Sequence, residues 1–600
     1  MSGLMVLGLL PLLVIVAVIV AVVVARERSN GAGGADGDDG HGTLRRVFVY
    51  SLALLGAVLT ASGLSGVLRA ALEPLGGPAL VSETERGLAL GLSLTVVGLP
   101  VWVLAWRAAQ RDTERSVREW RSLGRRLHVA AVRAIALSVA VPYALRTGLW
   151  LVGDEPYDAG AVARLLVWSA LWAYHERVAA EVPIGSEHTR RVDRIEAYLA
   201  ATAGVALLAV ALGSILSRSL GSLYALAVGT QLLVEGAPLE VGLRSATVVA
   251  VVGAGLWWWH WVVVGRRDAG STGWLGYLFL VGVLSATATA LVSGSVLLHS
   301  VLAWVLDATD DAAAVHFEVV PSAAAGLAVG IAVWGYHRAV LGESQAAVEA
   351  AWSGPERTYR YLVAAAGMLT TAGGIATVLM VGLDLVVPGR TIVQAPGGVR
   401  DVVAVGLTLL LIGVPLWASS WSSVQRHVRD DPSERTALAR RVLIFGAFGV
   451  AIVATVVALS VVLFELFDAL LAGEVSADLI EEQRWAIALL LTAGVVSVHY
   501  GLVLREDRAE APPEAVAVRL SQVIVVAPRA HALADQLRSR LEVKVTAWER
   551  QDAEPAALPD EELDDLTVRL RQVGAARALV IVGDDGQVQL VPLSGRGGWG

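Results

Sequence analysis

Tryptophan and histidine residues recur along this chain in six short motifs, whose rings could meet at one level of a folded protein. The motifs begin about every 80 residues, and repetition on this scale indicates a repeat architecture. Indole faces attract cations and imidazole titrates near neutral pH, so a collar of such rings could hold a cation or respond to pH. The candidate residues are Trp102, Trp106, Trp172, His175, Trp257, His260, Trp334, His337, Trp417, Trp421 and His499.

Two other interpretations of these residues stand beside the collar. The one we favour is an aromatic belt at a membrane–water boundary, where each ring places an apolar body in lipid and a polar edge toward the headgroups. Metal coordination by the histidines is the weakest interpretation, because no carboxylate recurs beside them. The chain has no cysteine, which excludes disulfides, thiolate metal sites and thiol nucleophiles.

The composition is typical of a membrane protein. The mean hydropathy is +0.62 and only 17% of the residues are charged, whereas a soluble domain carries about a quarter. Lys544 is the only lysine, so almost every cationic side chain is arginine. We see no paired acid–base set, no phosphate-binding glycine loop and no basic domain. We therefore expect no enzymatic activity, no cofactor and no nucleic-acid partner.

Apolar segments of spanning length follow one another through most of the chain. A helix needs about 20 apolar residues to cross hydrocarbon, and about 13 segments qualify, as one leader and six pairs. Each pair is interpreted as a helical hairpin with a marker residue near the start of its first helix. The markers are Tyr50, Ala130, Tyr198, Tyr277, Tyr361 and Phe445. The predicted fold class is an all-α polytopic membrane protein: an N-terminal anchor helix, six parallel two-helix repeats and a small α/β domain.

The predicted boundaries place the leader at residues 1–25. Its apolar run is longer than that of a signal peptide and has no basic segment before it, so we interpret it as an uncleaved transmembrane anchor. Residues 26–44 are predicted to be a flexible Gly/Asp linker, and residues 45–505 the repeated domain. The six repeats are predicted at residues 45–123, 124–189, 190–270, 271–352, 353–436 and 437–505.

Loop charges predict the orientation. Arginines cluster after the second helix of the repeats, as in residues 107–126 and 421–441, whereas the opposite loops are acidic, as in residues 307–311. Short loops rich in arginine remain in the cytoplasm. We therefore predict a bacterial inner-membrane protein whose N-terminus is outside and whose ring motifs and C-terminal domain are on the cytoplasmic side. Arg133 and Arg164, near helix ends, are expected to snorkel toward the headgroups.

Two of the ring motifs carry a glycine–proline–tryptophan pattern. They read Gly98-Leu-Pro-Val-Trp-Val-Leu-Ala-Trp106 and Gly413-Val-Pro-Leu-Trp-Ala-Ser-Ser-Trp421. The pattern resembles the G-x-P-x-W-x-x-x-W signature of an uncharacterised bacterial multispanning membrane family with a repeated domain of unknown function. The other four repeats depart from its glycine–proline part. The resemblance covers about residues 45–505 and implies repeated helix pairs without an assigned activity.

Small residues and proline precede the tryptophans of several motifs. Small residues permit close approach of helix backbones in lipid. Proline removes a helical hydrogen bond, so Pro100 and Pro415 are candidate helix-bend positions. We favour close packing over a gating hinge as the purpose of this pattern.

The composition changes sharply after the last apolar segment. Residues 506–520 are predicted to be a linker, residues 521–593 an α/β domain and residues 594–600 a disordered tail. Strands at 523–526, 543–547, 578–582 and 588–591 and helices at 529–541 and 560–573 give the order βαβαββ. Asp584-Asp585-Gly586 predicts a hairpin turn. We interpret the domain as a regulatory module for a cytoplasmic protein partner.

These features favour a helical scaffold or a sensing and interaction platform, with the lipid bilayer and a cytoplasmic protein as partners. The alternative is a channel or transporter in which the repeats surround a path for a small or lipid-like solute. The arrangement of the ring motifs separates the two hypotheses. A closed ring around a water-accessible cavity favours transport, and an open row favours a scaffold.

Overall fold

The structure is a computed structural model, and the segments that it describes cover most of the chain. They are residues 39–76, 81–115, 122–180, 187–229, 239–343, 354–386, 398–473, 479–480, 483–510, 520–528, 530–541, 543–550, 560–573, 575–583 and 587–593. The predicted anchor at residues 1–25 and the turn at residues 584–586 lie outside these segments.

Twelve long helices follow one another between Asp39 and Glu510 in the described segments. Three of them change their helical type along their length: α6 and α7 contain π-helical segments, and α8 has a short 3-10 stretch after its first turn. The helices are α1 (Asp39–Leu72), α2 (Val81–Arg115), α3 (Leu123–Leu151), α4 (Ala159–Ala180), α5 (Glu187–Val228), α6 (Leu239–Trp257 with Trp258–Val264 and Gly265–Asp268), α7 (Thr272–Gly276 with Tyr277–Leu284 and Ser285–Val305), α8 (Ala313–His316 with Phe317–Val319 and Val320–Glu343), α9 (Gly354–Val386), α10 (Gly398–Asp430), α11 (Leu438–Ala472) and α12 (Arg484–Glu510).

Consecutive helices pair as six hairpins, numbered 1 to 6 from α1–α2 to α11–α12. In hairpins 1 to 5 the two helices pack along their length, whereas α11 and α12 approach each other at few points. Glycine brings the backbones of several hairpins into contact. A Cβ atom built on Gly56 of α1 would lie only 2.8 Å from Trp102 Cα of α2. The same contact joins Gly204 to Trp257 Cα in hairpin 3 (2.8 Å) and Gly367 to Trp417 Cα in hairpin 5 (2.9 Å). Each of these glycines lies six residues after the marker of its helix. Only glycine permits this approach, which is how helices pack in lipid.

The glycines before the motif tryptophans make the reciprocal contact. A Cβ on Gly98 would lie 2.7 Å from the Thr60 amide nitrogen, and one on Gly413 would lie 2.6 Å from that of Thr371. Gly253 and Gly330 approach the first helices of hairpins 3 and 4 in the same way. The favoured interpretation of this pattern, close helix packing, is therefore confirmed at these positions.

Eleven of the described helices are long and apolar enough to cross a membrane. The remaining long helix, α4, has 22 residues and carries Arg164, His175 and Glu176 within its length, which lowers its mean hydropathy. The first helices of the hairpins are longer than hydrocarbon requires, as α5 shows with 42 residues. The chain is a polytopic helical membrane protein with internal repeats.

Two helices extend into the segments predicted to be linkers. Helix α1 begins at Asp39, within the predicted linker 26–44. Helix α12 continues to Glu510, within the predicted linker 506–520. Adding a residue to an existing helix costs far less than nucleating one, so spanning helices continue into polar sequence. At α12 the extension is also held by Arg435, which pairs with Asp507 at 3.5 Å and with Glu510.

The C-terminal domain has the predicted βαβαββ order. Its elements are β1 (Gln522–Ala527), α13 (Ala530–Leu541), β2 (Lys544–Glu549), α14 (Asp560–Gln572), β3 (Arg577–Val582) and β4 (Val588–Leu593). The strand order is β2-β1-β3-β4, with β1 parallel to both neighbours and β4 antiparallel to β3. The central strands β1 and β3 alternate buried and less buried residues over a short range, which is the pattern that predicted them.

Both helices of this domain pack on one face of its sheet. Val523 and Val525 of β1 and Ala578 and Val580 of β3 are fully buried against them. The helices contribute Leu537, Leu563, Leu566 and Leu570 to this core. The other face of the sheet has no described helix over it.

Candidate functional site

The rings of the ring motifs form three clusters, each shared by two consecutive hairpins. In the first cluster, Trp106 of α2 stacks on His128 of α3 at 5.3 Å and lies 5.7 Å from His175 of α4. Its indole Nε1–H donates to the Tyr174 hydroxyl at 2.6 Å. Trp102 contacts Tyr174 edge-on at 6.0 Å. This cluster therefore joins hairpins 1 and 2.

The second cluster joins hairpins 3 and 4 with the same central contacts. Trp261 of α6 donates its Nε1–H to the Tyr336 hydroxyl of α8 at 3.0 Å and lies 6.3 Å from His337. Trp257 contacts Tyr336 at 5.2 Å and donates to the Tyr277 hydroxyl at 3.1 Å. Both π-helical segments lie here, and Trp261 and Tyr277, one from each, stack at 4.4 Å.

The third cluster joins hairpins 5 and 6. His499 of α12 lies 5.6 Å from Trp417 and 6.1 Å from Trp421 of α10. Tyr500 packs on Trp421 at 5.6 Å. Residue 498, which corresponds to Tyr174 and Tyr336, is valine here, so Trp421 has no tyrosine hydroxyl at this position.

The first and third clusters each contain an arginine whose guanidinium lies over the central tryptophan. Arg125 lies 5.3 Å from the ring of Trp106 and donates to Gln110 Oε1 at 2.9 Å. Arg440 lies 5.7 Å from the ring of Trp421 and donates to Gln425 Oε1 at 3.3 Å. In both, the arginine follows the glutamine by 15 residues. A guanidinium over an indole face is a favourable cation–π contact.

These correspondences define a larger repeat of four helices. Unit A is hairpins 1 and 2, unit B is hairpins 3 and 4, and unit C is hairpins 5 and 6. Sequence reasoning found the hairpins but missed this grouping, although a signal was present. The motif ends in tryptophan only in the first hairpin of each unit, and histidine precedes its last position in all three second hairpins.

The comparison with known families agrees with this grouping. Residues 46–154 and 357–495 each match the family model of a Domain of unknown function (DUF5671). The chain carries a repeated domain of unknown function. Each match begins in the first helix of a four-helix unit, α1 of unit A or α9 of unit C; the first match ends after α3 and the second within α12. Among curated proteins and among solved structures, no match was found.

Between two units, a second set of rings and charges makes a junction. Trp172 of unit A lies 5.9 Å from His260 and 5.8 Å from Trp259 of unit B. Beside these rings, Arg133 Nη2 of α3 lies 2.8 Å from Glu176 Oε2 of α4 and 2.8 Å from Glu196 Oε2 of α5. The expectation that Arg133 snorkels was wrong, because its side chain is only 4% exposed and two carboxylates hold it inside.

Some of the predicted positions lie outside these contacts. Trp334 is 41% exposed, and Arg338 lies 5.9 Å from its ring. Pro100 and Pro415 lie inside α2 and α10, and both helices continue through them. Pro142, which the sequence analysis did not single out, likewise lies inside α3.

The imidazoles of three motifs are buried and engaged by their own helices. The Nδ1 atoms of His175, His260 and His337 lie 2.8 to 3.0 Å from the carbonyl oxygen four residues earlier. Each of these residues is at most 1% exposed. In the described segments, no group of three or more His, Asp and Glu side chains is placed to hold a metal ion. The rings pack on one another, and several of their nitrogens are buried in the described segments without a hydrogen-bond partner, among them the Nε2 atoms of the same three histidines.

Two sizeable cavities lie elsewhere in the helical part. One, of about 910 Å³, is an apolar crevice between α9, α11 and α12 of unit C. The other, of about 580 Å³, lies between α1, α2, α3 and α4 of unit A and has arginine, serine and tyrosine in its lining. None of the predicted tryptophan and histidine positions lines either cavity.

Proposed function

We propose that this protein is a helical membrane scaffold, whose C-terminal domain docks a protein partner. The observation that carries the proposal is that the ring motifs pack on one another within the four-helix units. Rings that surround a solute path would instead present their faces to a cavity. Packing of this kind supports a rigid structural role, since aromatic pairs contribute about 0.5–1.5 kcal/mol each beyond their burial.

The proposed orientation places the ring motifs and the C-terminal domain at the cytoplasmic face of a bacterial inner membrane. The arginines that follow the second helices support it, because short loops rich in arginine are retained in the cytoplasm. We propose no catalytic step for the scaffold. Its membrane partner is the bilayer, and its protein partner is recognised outside the bilayer.

The uncovered sheet face of the C-terminal domain is the proposed docking surface. Strand register places Ile524 and Val526 of β1 beside Leu579 and Ile581 of β3 on this face. Trp548 of β2 pairs with Val526 and is 65% exposed. An exposed tryptophan among aliphatic side chains has the composition of an interface centre.

The charges on this face indicate the chemistry of the partner. Its charged residues in the described strands are Lys544 and Arg577, which both lie beside Gln522 at one end. The acidic run of α14, from Asp560 to Asp565, belongs to the helical layer. We therefore propose a partner protein with an apolar surface bordered by carboxylates.

Substitution of Trp548 by glutamate is expected to abolish docking without unfolding the domain. The side chain is exposed, so its loss costs the core little, whereas a buried interface tryptophan contributes about 2 kcal/mol or more to binding. The measurement is in-cell photocrosslinking of the full chain from Gln589, an exposed residue of the same face. We expect the yield of each specific crosslinked partner to fall at least tenfold.

The matched control is Val568→Glu, which places the same charge at a 50%-exposed apolar residue of α14 on the helical layer. This variant is expected to keep the crosslinks of the parent chain. An identical crosslinked set in Trp548→Glu and the parent would refute docking at the sheet face.

The apolar crevice of unit C favours a second candidate function, the handling of a lipid-like solute. It follows one face of α9 from Gly354 to Ala376, about 33 Å at 1.5 Å per residue. That length is close to the roughly 30 Å of a hydrocarbon core. Small residues such as Ala447 and Ala493 form much of its lining, which leaves room for a hydrocarbon chain. Lipid handling requires that the hydrocarbon chain of the solute move along the crevice, whereas a scaffold requires no such movement.

A further inference from the structure

The cavity of unit A lies at the ends of its helices that are remote from the first ring cluster. On α1 it is lined from Ser62 to Arg69, whereas Tyr50, twelve residues before Ser62, contacts His128 of the cluster. Its volume of about 580 Å³ is in the range of small-molecule sites, about 300–1,000 Å³. All four helices of the unit contribute to its walls, and it opens to the surface, where lining residues such as Leu90 and Pro142 are exposed.

Two arginine side chains meet in this cavity. A Cβ built on Gly160 would lie 2.9 Å from Arg164 Nη1, 3.0 Å from Asp158 Oδ1 and 3.5 Å from Arg69 Cδ, so both arginine side chains pass over the backbone of Gly160, with the Asp158 carboxylate beside them. Glu73, the one carboxylate of the lining, pairs with Arg69 at 3.1 Å. The described charges that line the cavity therefore sum to one positive charge.

The Arg164 guanidinium is the positive group without an acidic partner. It lies 5.0 Å from the ring of Tyr143, and no carboxylate of a described residue is within ion-pair distance of it. The nearby Asp158 is engaged elsewhere, because it pairs with Arg146 at 3.3 Å and accepts from the Ala161 amide at 3.1 Å. A partly buried guanidinium with five donors and no carboxylate attracts an anion.

The remaining walls offer apolar surface and one unusual backbone acceptor. Leu94, Val139 and Trp168 line the cavity, and Trp168 is only 5% exposed. Pro142 lies inside α3 and has no N–H, so the carbonyl of Ser138, four residues earlier, lacks its helical donor. Both Ser138 and Pro142 line the cavity. The site thus combines cationic donors, a carbonyl without its helical donor and an apolar wall.

We propose that this cavity binds a small organic anion, a carboxylate or phosphate group on an apolar chain. The anionic group is held by Arg164 and Arg69, and the apolar chain packs against Leu94, Val139 and Trp168. The same chemistry is presented by a free amphiphilic anion and by an anionic lipid headgroup. The inference is independent of the scaffold function, since neither the ring clusters nor the C-terminal domain contributes to the cavity.

The test measures binding of defined probes to the full chain in a neutral detergent. The probes are inorganic phosphate, octyl phosphate below its micellar concentration, and octyl glucoside as the uncharged chain of matched length. A fourth arm uses bilayer nanodiscs of phosphatidylcholine with or without phosphatidylglycerol, followed by native mass spectrometry of retained lipid. We expect octyl phosphate or phosphatidylglycerol to bind, and octyl glucoside not to bind.

Arg164→Gln should weaken that binding at least tenfold, because it removes the unpaired charge. Arg45→Gln is the matched control: Arg45 is 65% exposed, pairs with Asp112 and does not line the cavity. It should bind as the parent chain does. Leu94→Trp keeps both arginines and fills the cavity, so it should weaken binding as Arg164→Gln does. Agreement of the two variants would show that the loss does not arise from misfolding of Arg164→Gln.

The detergent and nanodisc measurements distinguish a free amphiphilic anion from a lipid headgroup. Binding of octyl phosphate in detergent without retention of phosphatidylglycerol identifies a free amphiphile, and selective retention of phosphatidylglycerol identifies a lipid headgroup. Equal affinity in the parent, Arg164→Gln and Leu94→Trp would overturn the proposal. So would the absence of binding by all three charged probes.

Discussion

Replacing Arg133 by methionine is expected to destabilise the helical part by about 3–5 kcal/mol, the cost of removing one partner from a buried ion pair. Arg133 is 4% exposed and lies 2.8 Å from a carboxylate oxygen of both Glu176 and Glu196. Without the guanidinium, two carboxylates from α4 and α5 would face each other away from water. The measurement is the midpoint of unfolding of the full chain in mixed detergent micelles, followed by tryptophan fluorescence.

The control for this substitution is Arg146→Met on the same helix. Arg146 is 53% exposed and its carboxylate partners are 3.3 and 3.7 Å away, so its loss should cost less than about 1 kcal/mol. Adding Glu176→Gln and Glu196→Gln to Arg133→Met should recover much of the lost stability, since the repulsion between the two carboxylates is removed. Equal midpoints for Arg133→Met and Arg146→Met would show that the triad does not hold units A and B together.

Adding a single methyl group at Gly204 is expected to force hairpin 3 apart. The new Cβ of Gly204→Ala would lie 2.8 Å from Trp257 Cα and 2.9 Å from its Cβ. Most of these atoms are backbone, which cannot rotate away, so the two helices must separate. Overpacking of this kind costs about 1–3 kcal/mol. Because Trp257 belongs to the second ring cluster, the indole–hydroxyl bond to Tyr277 should weaken as well.

Gly213→Ala on the same helix is the matched substitution, since a Cβ there meets nothing within 4 Å. Alanine favours a helix over glycine by up to about 1 kcal/mol, so this variant should be as stable as the parent or more so. Thermal unfolding midpoints and the monodisperse fraction after detergent extraction measure both variants. A Gly204→Ala chain as stable as Gly213→Ala would contradict backbone contact in the hairpin.

The helices and strands could be predicted because their signals are local. A run of apolar residues predicts a spanning helix wherever it stands, and short alternating runs predicted β1 and β3 within one or two residues at each end. The hairpins followed from the recurrence of one motif. The helix ends at Asp39 and Glu510 were missed because polar sequence continues a helix when it is already nucleated.

The grouping of hairpins and the charged site could not be predicted with the same ease. Arg133, Glu176 and Glu196 come from three different helices, and only their packing shows that they meet. The cavity of unit A depends on Arg69 and Arg164, which lie 95 residues apart in sequence. In contrast, the four-helix unit has a signal in the sequence. The last motif position alternates between tryptophan, as in Trp106, and another residue, as in Glu176, and a comparison of the six motifs in pairs shows this alternation.

The central claim is that all six hairpins face the same way across the membrane, and cysteine labelling tests it most directly. The chain has no cysteine, so single substitutions report without background. Glu114→Cys and Asp430→Cys lie at the C-terminal ends of second helices, α2 and α10, and Asp310→Cys lies between the helices of hairpin 4. We predict that a membrane-impermeant maleimide labels the first two only from the cytoplasmic side and Asp310→Cys only from the other. Labelling of Glu114→Cys and Asp430→Cys from opposite sides would contradict the account.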